Sequence, residues 1–600
     1  MLFEHASYRF PTELLIFFDL LACVLAAALL WRWPALGADS ARSAWRELRH
    51  LGRGRHRPFV ILALAGGLGT AATFALFGPP IPRISDEKSY LLAVDTFAHG
   101  RLANPPLADA AHYATEHVLF SPTYASKYPP AQGLVLGLGQ RLFGHPAAGL
   151  ILESALLCLC IGWAVGGVMA PPWPLVGGLL AAFRLGVGSY FNQSYWGGSV
   201  ATIGGALVLG AVLRFSRPSS HARVGDAVAL MAGLAVLAHS RPVEGLAYAA
   251  VAGLLLLRAK SPARHPTPRQ RAPDASVHPV SKTASSEASR ATFARKIAIA
   301  LTLALGSILI VASVLGYNRA VTGHALTFPH PLHASRHPEY VHFVWQLGPR
   351  WPLAALRAWL VEIALSLYFY LGLGPLVVLV TGFGAIRGRH GAGIATALSA
   401  AVLLALFPIL PFHVHYAAPM AAALMLLATL GLRALLASGR RVPSRGPRPA
   451  RHGRIGRQAT MAILAIQCAI FLLQLSAHRP DESDWSFQRA QIQARLLARP
   501  GRDLVLVHYP AGRPESWVWN RADLASSEVV WAESLGDQAD RPLIEHWHGR
   551  RVWEIAPDFG PRPPALRPRA QRPPAHGRPQ PATQTTATAA NAGQPFPTLP

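Results

Sequence analysis

Two neighbouring carboxylates, Asp86 and Glu87, lie near the start of the stretch SDEKSYLLAVDTFAHG, a few residues after a long apolar run ends. Some forty residues on, SKYPPAQG presents Lys127 beside Tyr128 and a Pro-Pro pair that stiffens the backbone. A carboxylate placed to take a proton, with a cation near it to hold a phosphate, suits group transfer from a phosphate-linked donor. The acid would deprotonate an acceptor hydroxyl while the cation stabilises the departing phosphate. Asp86 is the expected base with Glu87 beside it, and Tyr90 and Tyr128 are expected to contact substrate. A plainer reading competes. Acids favour a helix N-terminus through capping and the helix dipole, and Ser85 or Asp86 is a good cap.

Other polar residues interrupt apolar segments. Arg241 in HSRPVEG stands at a segment end, where an ionisable group is a functional candidate by default. Snorkelling or pairing with Glu244 is the alternative. Arg184 in AAFRLGVG lies well inside an apolar run, where a lipid-phosphate contact or a buried ion pair would each explain it. Both arginines join Lys127 as expected phosphate-binding residues. His413 and His415 flank a valine, but two histidines without a third ligand nearby are a weak metal signal. Substrate hydrogen bonding by His415 or simple packing at the interface is therefore expected, and no metal or other cofactor is assigned. Tyr195 and Trp196 suit sugar stacking as well as an aromatic belt.

These residues must be positioned by a membrane chain. Of its 600 residues 51% are hydrophobic and only 14% charged, where soluble domains carry about 25%. The apolar blocks run to about 17–25 residues, the length that crosses a bilayer as helix. About twelve spans are expected, at 14–31, 59–78, 147–169, 174–190, 197–214, 226–240, 243–258, 297–316, 357–383, 391–411, 416–434 and 459–477. All four cysteines fall inside them and read as core residues. The opening MLFEHASYRFPTE lacks a basic n-region and a small-residue cleavage site, so a retained first span is expected.

The net charge of +26 does not point to nucleic acid, because most of it sits in three interspan loops. Residues 32–57 carry seven Lys/Arg against two acids, 258–296 nine against two, and 432–457 eight against none. Cytoplasmic loops accumulate basic residues in this way, with anionic membrane lipids as incidental partners. Alternation from the first basic loop puts every strongly basic loop inside. The same alternation places SDEKSY, ASKYPPAQG, FNQSYWGG, HSRPVEG, YNRAVTG and FHVHYAAP outside. Motif-like loops on one face only are the pattern of an active face.

The expected fold is mainly α: a polytopic helical bundle with a small C-terminal α/β domain on the outer side. Its parts are a span and basic loop over 1–58, a transmembrane domain over 59–477 with an external loop at 79–146, and the α/β domain over 478–560. Within that domain DLVLVHYP, EVVWAESLG and RRVWEIAPD read as strands and 485–498 as a helix. Within 79–146, Leu91, Leu92, Val94 and Phe97 give a short helix an apolar face suited to the membrane interface. Residues 258–296 read as a flexible linker, and the Pro/Arg/Ala/Thr-rich 561–600 as disordered.

The stretches DEKSYLLAVDTFAHGRL, PTYASKYPPAQGLVLGLGQRLFGHP, SYFNQSYWGGSVATIGGALVLGA, SRPVEGL, YNRAVTG, HYAAP and WVWNRADL…VVWAESLG resemble a set of bacterial polytopic proteins. That set is grouped with the GT-C glycosyltransferases, near the protein O-mannosyltransferases and the lipid A aminoarabinose transferase. The resemblance covers roughly residues 60–560. It implies a transferase that uses a polyprenyl-phosphate sugar at the periplasmic face of the bacterial inner membrane, with an unknown glycan, lipid or protein acceptor. Asp86 corresponds to the presumed base, and Lys127, Pro129 and Pro130 to a Lys-Pro-Pro element at the lipid phosphate. The chain departs from the pattern where Tyr128 separates Lys127 from the prolines and where Ser126 replaces a frequent Glu. A non-catalytic transporter or lipid-binding scaffold is the competing function. It would be marked by inverted repeats and broken helices, and no repeat is visible.

Overall fold

The computed structural model describes residues 12–33, 35–217, 222–259, 282–337, 343–347, 351–410, 412–438, 449–476, 483–510, 517–557, 560 and 562–569. The first helices are α1 (Thr12–Arg32), α2 (Ala38–Leu51), α3 (Arg57–Phe77), α4 (Ser85–Ala98), α5 (Pro130–Phe143) and α6 (Ala147–Val165). Then come α7 (Trp173–Ala181), a π-helical turn at Ala182–Gly186, α8 (Tyr190–Gln193), α9 (Ser199–Phe215), α10 (Val224–Ala238) and α11 (Pro242–Ala259). The long α12 (Lys282–Thr322) is followed by α13 (Pro329–Arg336), α14 (Trp351–Leu371), α15 (Leu373–Ile386), α16 (Ala392–Leu406), α17 (Ala421–Ser438) and α18 (Pro449–Ser476).

Each expected span falls on this helical framework. Six described helices are long and apolar enough to cross a membrane by themselves, or seven if one bent pair counts as a span. That is fewer full-length spans than twelve, because several apolar helices such as Ser199–Phe215 and Ala392–Leu406 are short. Segment Val414–Ala437 is the central post, with 78% of its most apolar stretch buried, whereas the most apolar stretch of Thr292–Thr322 has none buried and the end of that helix, with Tyr317 and Val321, enters a core. Residues 357–383 are not one continuous helix: the chain turns by 109° between α14 and α15. Gly372, at φ 70°, supplies the left-handed residue at the turn.

Two expected irregular segments are partly ordered. The second part of the 258–296 linker, from Lys282, belongs to α12, and residues 260–281 lie outside the described residues. Within the expected tail, Arg567–Pro568 forms a strand, and 570–600 lie outside the described residues.

The C-terminal residues build a small α/β unit from α19 (Trp485–Leu497), α20 (Asp537–His546) and a sheet. A two-residue hairpin, β1 (Val118–Leu119) with β2 (Ala125–Ser126), precedes it in the chain. The sheet is β3 (Asp503–Val507), β4 (Val529–Glu533), β5 (Arg551–Ile555) and β6 (Arg567–Pro568), in the order β4-β3-β5-β6 with the first three parallel. Alternation along the strands gives it two apolar faces. Val505, Val507 and Trp531 pack with Ile492 and Leu496 of α19. Leu504, Leu506, Val530 and Ala532 pack with Leu92 of α4 and with Tyr113 and Tyr124.

That second face alters the expected setting of α4. Its apolar side chains meet protein rather than lipid: Leu92 enters the core under the sheet, and Val94 packs with Leu136 and Leu150. Polar ties fix the same contact. Asp95 accepts from the Ala522 amide at 2.8 Å and from Gln140 at 3.0 Å, and Trp547 donates to the Tyr113 hydroxyl at 2.7 Å. The helix that carries Asp86 is thus held between the bundle and the C-terminal sheet.

Candidate active site

The two acids at the start of α4 do different work. Glu87 Oε2 accepts the backbone amides of Arg83 at 2.7 Å and Ile84 at 3.3 Å, while its Oε1 accepts the Tyr195 amide at 2.9 Å. Glu87 is the helix cap, reaching back from the third helical position to amides that have no intrahelical acceptor. Asp86 points elsewhere. Its Oδ1 accepts the Tyr128 hydroxyl, and its Oδ2 lies 3.6 Å from His117 Nε2. Tyr90, one helical turn on, stacks against Tyr128 with ring centroids 4.5 Å apart.

The hairpin explains why Lys127 arrives here. Val118 pairs with Ser126, so His117 and Lys127 face each other at the end of the ladder, and the Lys127 amide donates to the His117 carbonyl at 3.1 Å. Ser89 of α4 donates to the same carbonyl at 2.6 Å and bonds Ser126 at 2.7 Å, which pins the hairpin to the helix. His117 is held at φ 66°, the sole non-glycine with positive φ among the described residues. Such a backbone persists only where its surroundings fix it. Lys127 Nζ lies 5.2 Å from the Tyr128 ring centre.

Electrostatics follow from this packing. Burial pushes the Asp86 carboxyl up, but His117, the Tyr128 hydroxyl, Lys127 and His413 more than offset it and leave it below its ordinary value. Burial lowers Lys127 to about 8 despite attraction from Asp86 and Glu116. Burial also lowers His117 against the pull of Asp86. The cluster at neutral pH is a carboxylate, a neutral imidazole and an ammonium that deprotonates within reach of physiological pH.

The opposite side is built from α10, α11 and the 3-10 turn Val414–Met420. Arg241 follows α10 and lies over the Tyr416 ring at 4.6 Å. It interacts electrostatically with Glu244, Tyr90, Tyr416 and Tyr128. Gly205 lets α9 back this turn, since a Cβ there would come within 2.0 Å of the Pro419 carbonyl. His413 and His415 stack 5.7 Å apart, and His415 lies 4.3 Å from Trp196. The Ala131 amide donates to the His239 carbonyl at 2.8 Å, tying the segment after Lys127 to the one before Arg241.

Asp86, Tyr90, Lys127, Tyr128 and Arg241 therefore come together, with His415 and Trp196 at one side. Tyr195 does not join them. It is buried with Val94, Leu136 and Leu150, and its contribution is the amide that holds Glu87. Arg184 also sits apart, donating to the carbonyls of Tyr368 at 2.7 Å and Phe369 at 3.0 Å. Sequence reasoning missed His117, His330 and His333. His333 lies 6.0 Å from His117, and His330 6.4 Å from Tyr128, both carried over the cluster by α13. Burial and the neighbouring Lys127 lower His333 to about 3. Only the density of histidine in GHALTFPHPLHASRH could have flagged that helix.

Among the described residues no three His, Cys, Asp or Glu side chains are grouped as a metal site. An apolar cavity of about 540 Å³ lies behind the cluster, lined by Pro130, Leu134, Val200, Val236 and Tyr317 among others. The Tyr317 hydroxyl donates to the Tyr128 carbonyl at 3.2 Å, so the cavity wall is tied to the site by a hydrogen bond.

No family model matches this chain, and no curated protein matches it in sequence. Its structure is similar to those of ArnT from Cupriavidus metallidurans, in the apo state and bound to undecaprenyl phosphate. Each is 13% identical, with a TM-score of 0.45 over 83% of this chain and 92% of the other. It is also similar to the oligosaccharyltransferase AglB from Archaeoglobus fulgidus in complex with an inhibitory peptide and a dolichol-phosphate. That match is 11% identical, with a TM-score of 0.43 over 83% of this chain and 69% of the other.

Proposed function

We propose that the chain is a membrane glycosyltransferase that moves a sugar from a polyprenyl-phosphate donor to an acceptor hydroxyl at the periplasmic face. The observation that carries this reading is Asp86, a carboxylate held low in pKa by His117, the Tyr128 hydroxyl, Lys127 and His413, with Arg241 over the Tyr416 ring beside it. Asp86 takes the proton of the acceptor hydroxyl as that oxygen attacks the anomeric carbon. The bond from that carbon to the phosphate oxygen breaks, and its electron pair leaves with polyprenyl phosphate. Lys127 and Arg241 offset the charge on the leaving phosphate. Tyr128 and His117 orient Asp86, Tyr90 and Trp196 contact the sugar, and the apolar cavity beside Pro130 offers a lipid chain somewhere to lie.

The test is purified wild type against Asp86→Asn. Native mass spectrometry reports bound lipid, and released polyprenyl phosphate reports transfer. Loss of a general base lowers the rate by about 10²–10⁴-fold, with lipid retained. Equal transfer by both proteins would remove Asp86 as base. The sharp bend between α14 and α15 favours a second reading, because transporters bind their cargo at broken helices. Directional uptake of a solute with no transfer would support it.

A further inference from the structure

The bend between α14 and α15 is a second polar centre, buried and separate from Asp86. Ending one helix and starting another inside an apolar bundle leaves carbonyls and amides without partners, and side chains must meet them. Arg184 does so for the end of α14, donating to the Tyr368 carbonyl at 2.7 Å and to the Phe369 carbonyl at 3.0 and 3.3 Å. Asp19 of α1 does so for the start of α15, accepting the Leu373 amide at 2.9 Å. Arg184 is itself carried by the π-helical turn Ala182–Gly186, a distortion often found at functional positions. Gln467 of α18 presses against the turn, its amide under 3 Å from where a Cβ of Gly372 would stand.

This centre leads directly to the candidate site. Tyr370 lies one residue past the second carbonyl that Arg184 holds, and it is fully buried. Its hydroxyl donates to the Val414 carbonyl at 2.7 Å, at the start of the turn that carries His415 and Tyr416. Tyr190 packs between the two, 5.3 Å from Phe369 and 6.2 Å from His415. We propose that Arg184 is a positioning residue rather than a phosphate ligand: by fixing the end of α14 it fixes Tyr370, and through the Val414 carbonyl it sets Tyr416 beneath Arg241. A guanidinium suits this because Nη2 donates to both successive carbonyls while Nε, fixed in the same plane, adds a second bond to Phe369.

The inference rests on the glycosyltransferase reading only for its effect on lipid binding, so the test has two readouts. The first is hydrogen exchange of residues 412–420 in the lipid-free protein. The second is affinity for undecaprenyl phosphate. Arg184→Gln and Tyr370→Phe should each raise exchange in 412–420 about fivefold, the effect of losing one buried hydrogen bond. Each should weaken lipid binding by a similar factor, and the double variant should be no worse than the worse single. Arg184→Lys should fall between wild type and Arg184→Gln. Weaker binding in Arg184→Gln, with Tyr370→Phe unchanged in both readouts, would make Arg184 a direct phosphate ligand and overturn the proposal. If wild type binds no polyprenyl phosphate the functional reading fails, while the exchange of 412–420 still decides the positioning role. Should Arg184→Gln not fold, Tyr370→Phe and Arg184→Lys carry both comparisons.

Discussion

Lys127 and Asp86 set the pH behaviour of the proposed reaction. Phosphate binding needs the ammonium, which is present below about 8 and lost above it. Affinity for undecaprenyl phosphate should therefore fall as pH rises through that value. Lys127→Arg, which stays charged, should move the alkaline limb upward by more than a unit in a pH series of binding measurements. On the acid side Asp86 remains ionised below the ordinary carboxylate value, so the acid limb of transfer should lie lower than for a free aspartate. His117→Asn removes a neighbour that lowers Asp86, and should raise that acid limb in rate–pH profiles.

At the scale of elements, α4 divides its labour between adjacent residues. Glu87 caps the helix and bonds the Tyr195 amide, whereas Asp86 faces the site. Glu87→Ala should lower thermal stability by about 1–3 kcal/mol, the desolvation penalty of buried donors left unmet. Asp86→Asn should change melting far less while slowing transfer by about 10²–10⁴-fold. The reverse pattern in thermal melts would reverse the two assignments. The capping signal was legible in the sequence, since acids precede an apolar helical run. Which acid caps was not, because it depends on where Arg83, Ile84 and Tyr195 place their amides. The bend at Gly372 also had a local signal, the LGLGP motif of two glycines and a proline. Its apolar flanks nonetheless read as one continuous span.

For the whole molecule, the C-terminal sheet is a support for the site and shares one core with α4 and the hairpin loop. Asp95 is the polar tie, joining α4 to the Ala522 amide and to Gln140 of α5. Asp95→Ala should raise hydrogen exchange across 517–535 and also loosen 85–98, the helix that bears Asp86. Exchange confined to 517–535 would mean that the sheet is a passenger. The sequence by itself determined the membrane-helical character, the helical segments and the strands of the C-terminal unit, because apolar length and alternation are local properties. It also singled out Asp86, Lys127 and Arg241, since charges flanking apolar segments stand out from their neighbours. Only the tertiary structure decided the rest. His117 meets Asp86 through hairpin register, and Arg184 meets carbonyls far along the chain at Tyr368 and Phe369. Such contacts arise from packing between distant segments, and no local pattern encodes them.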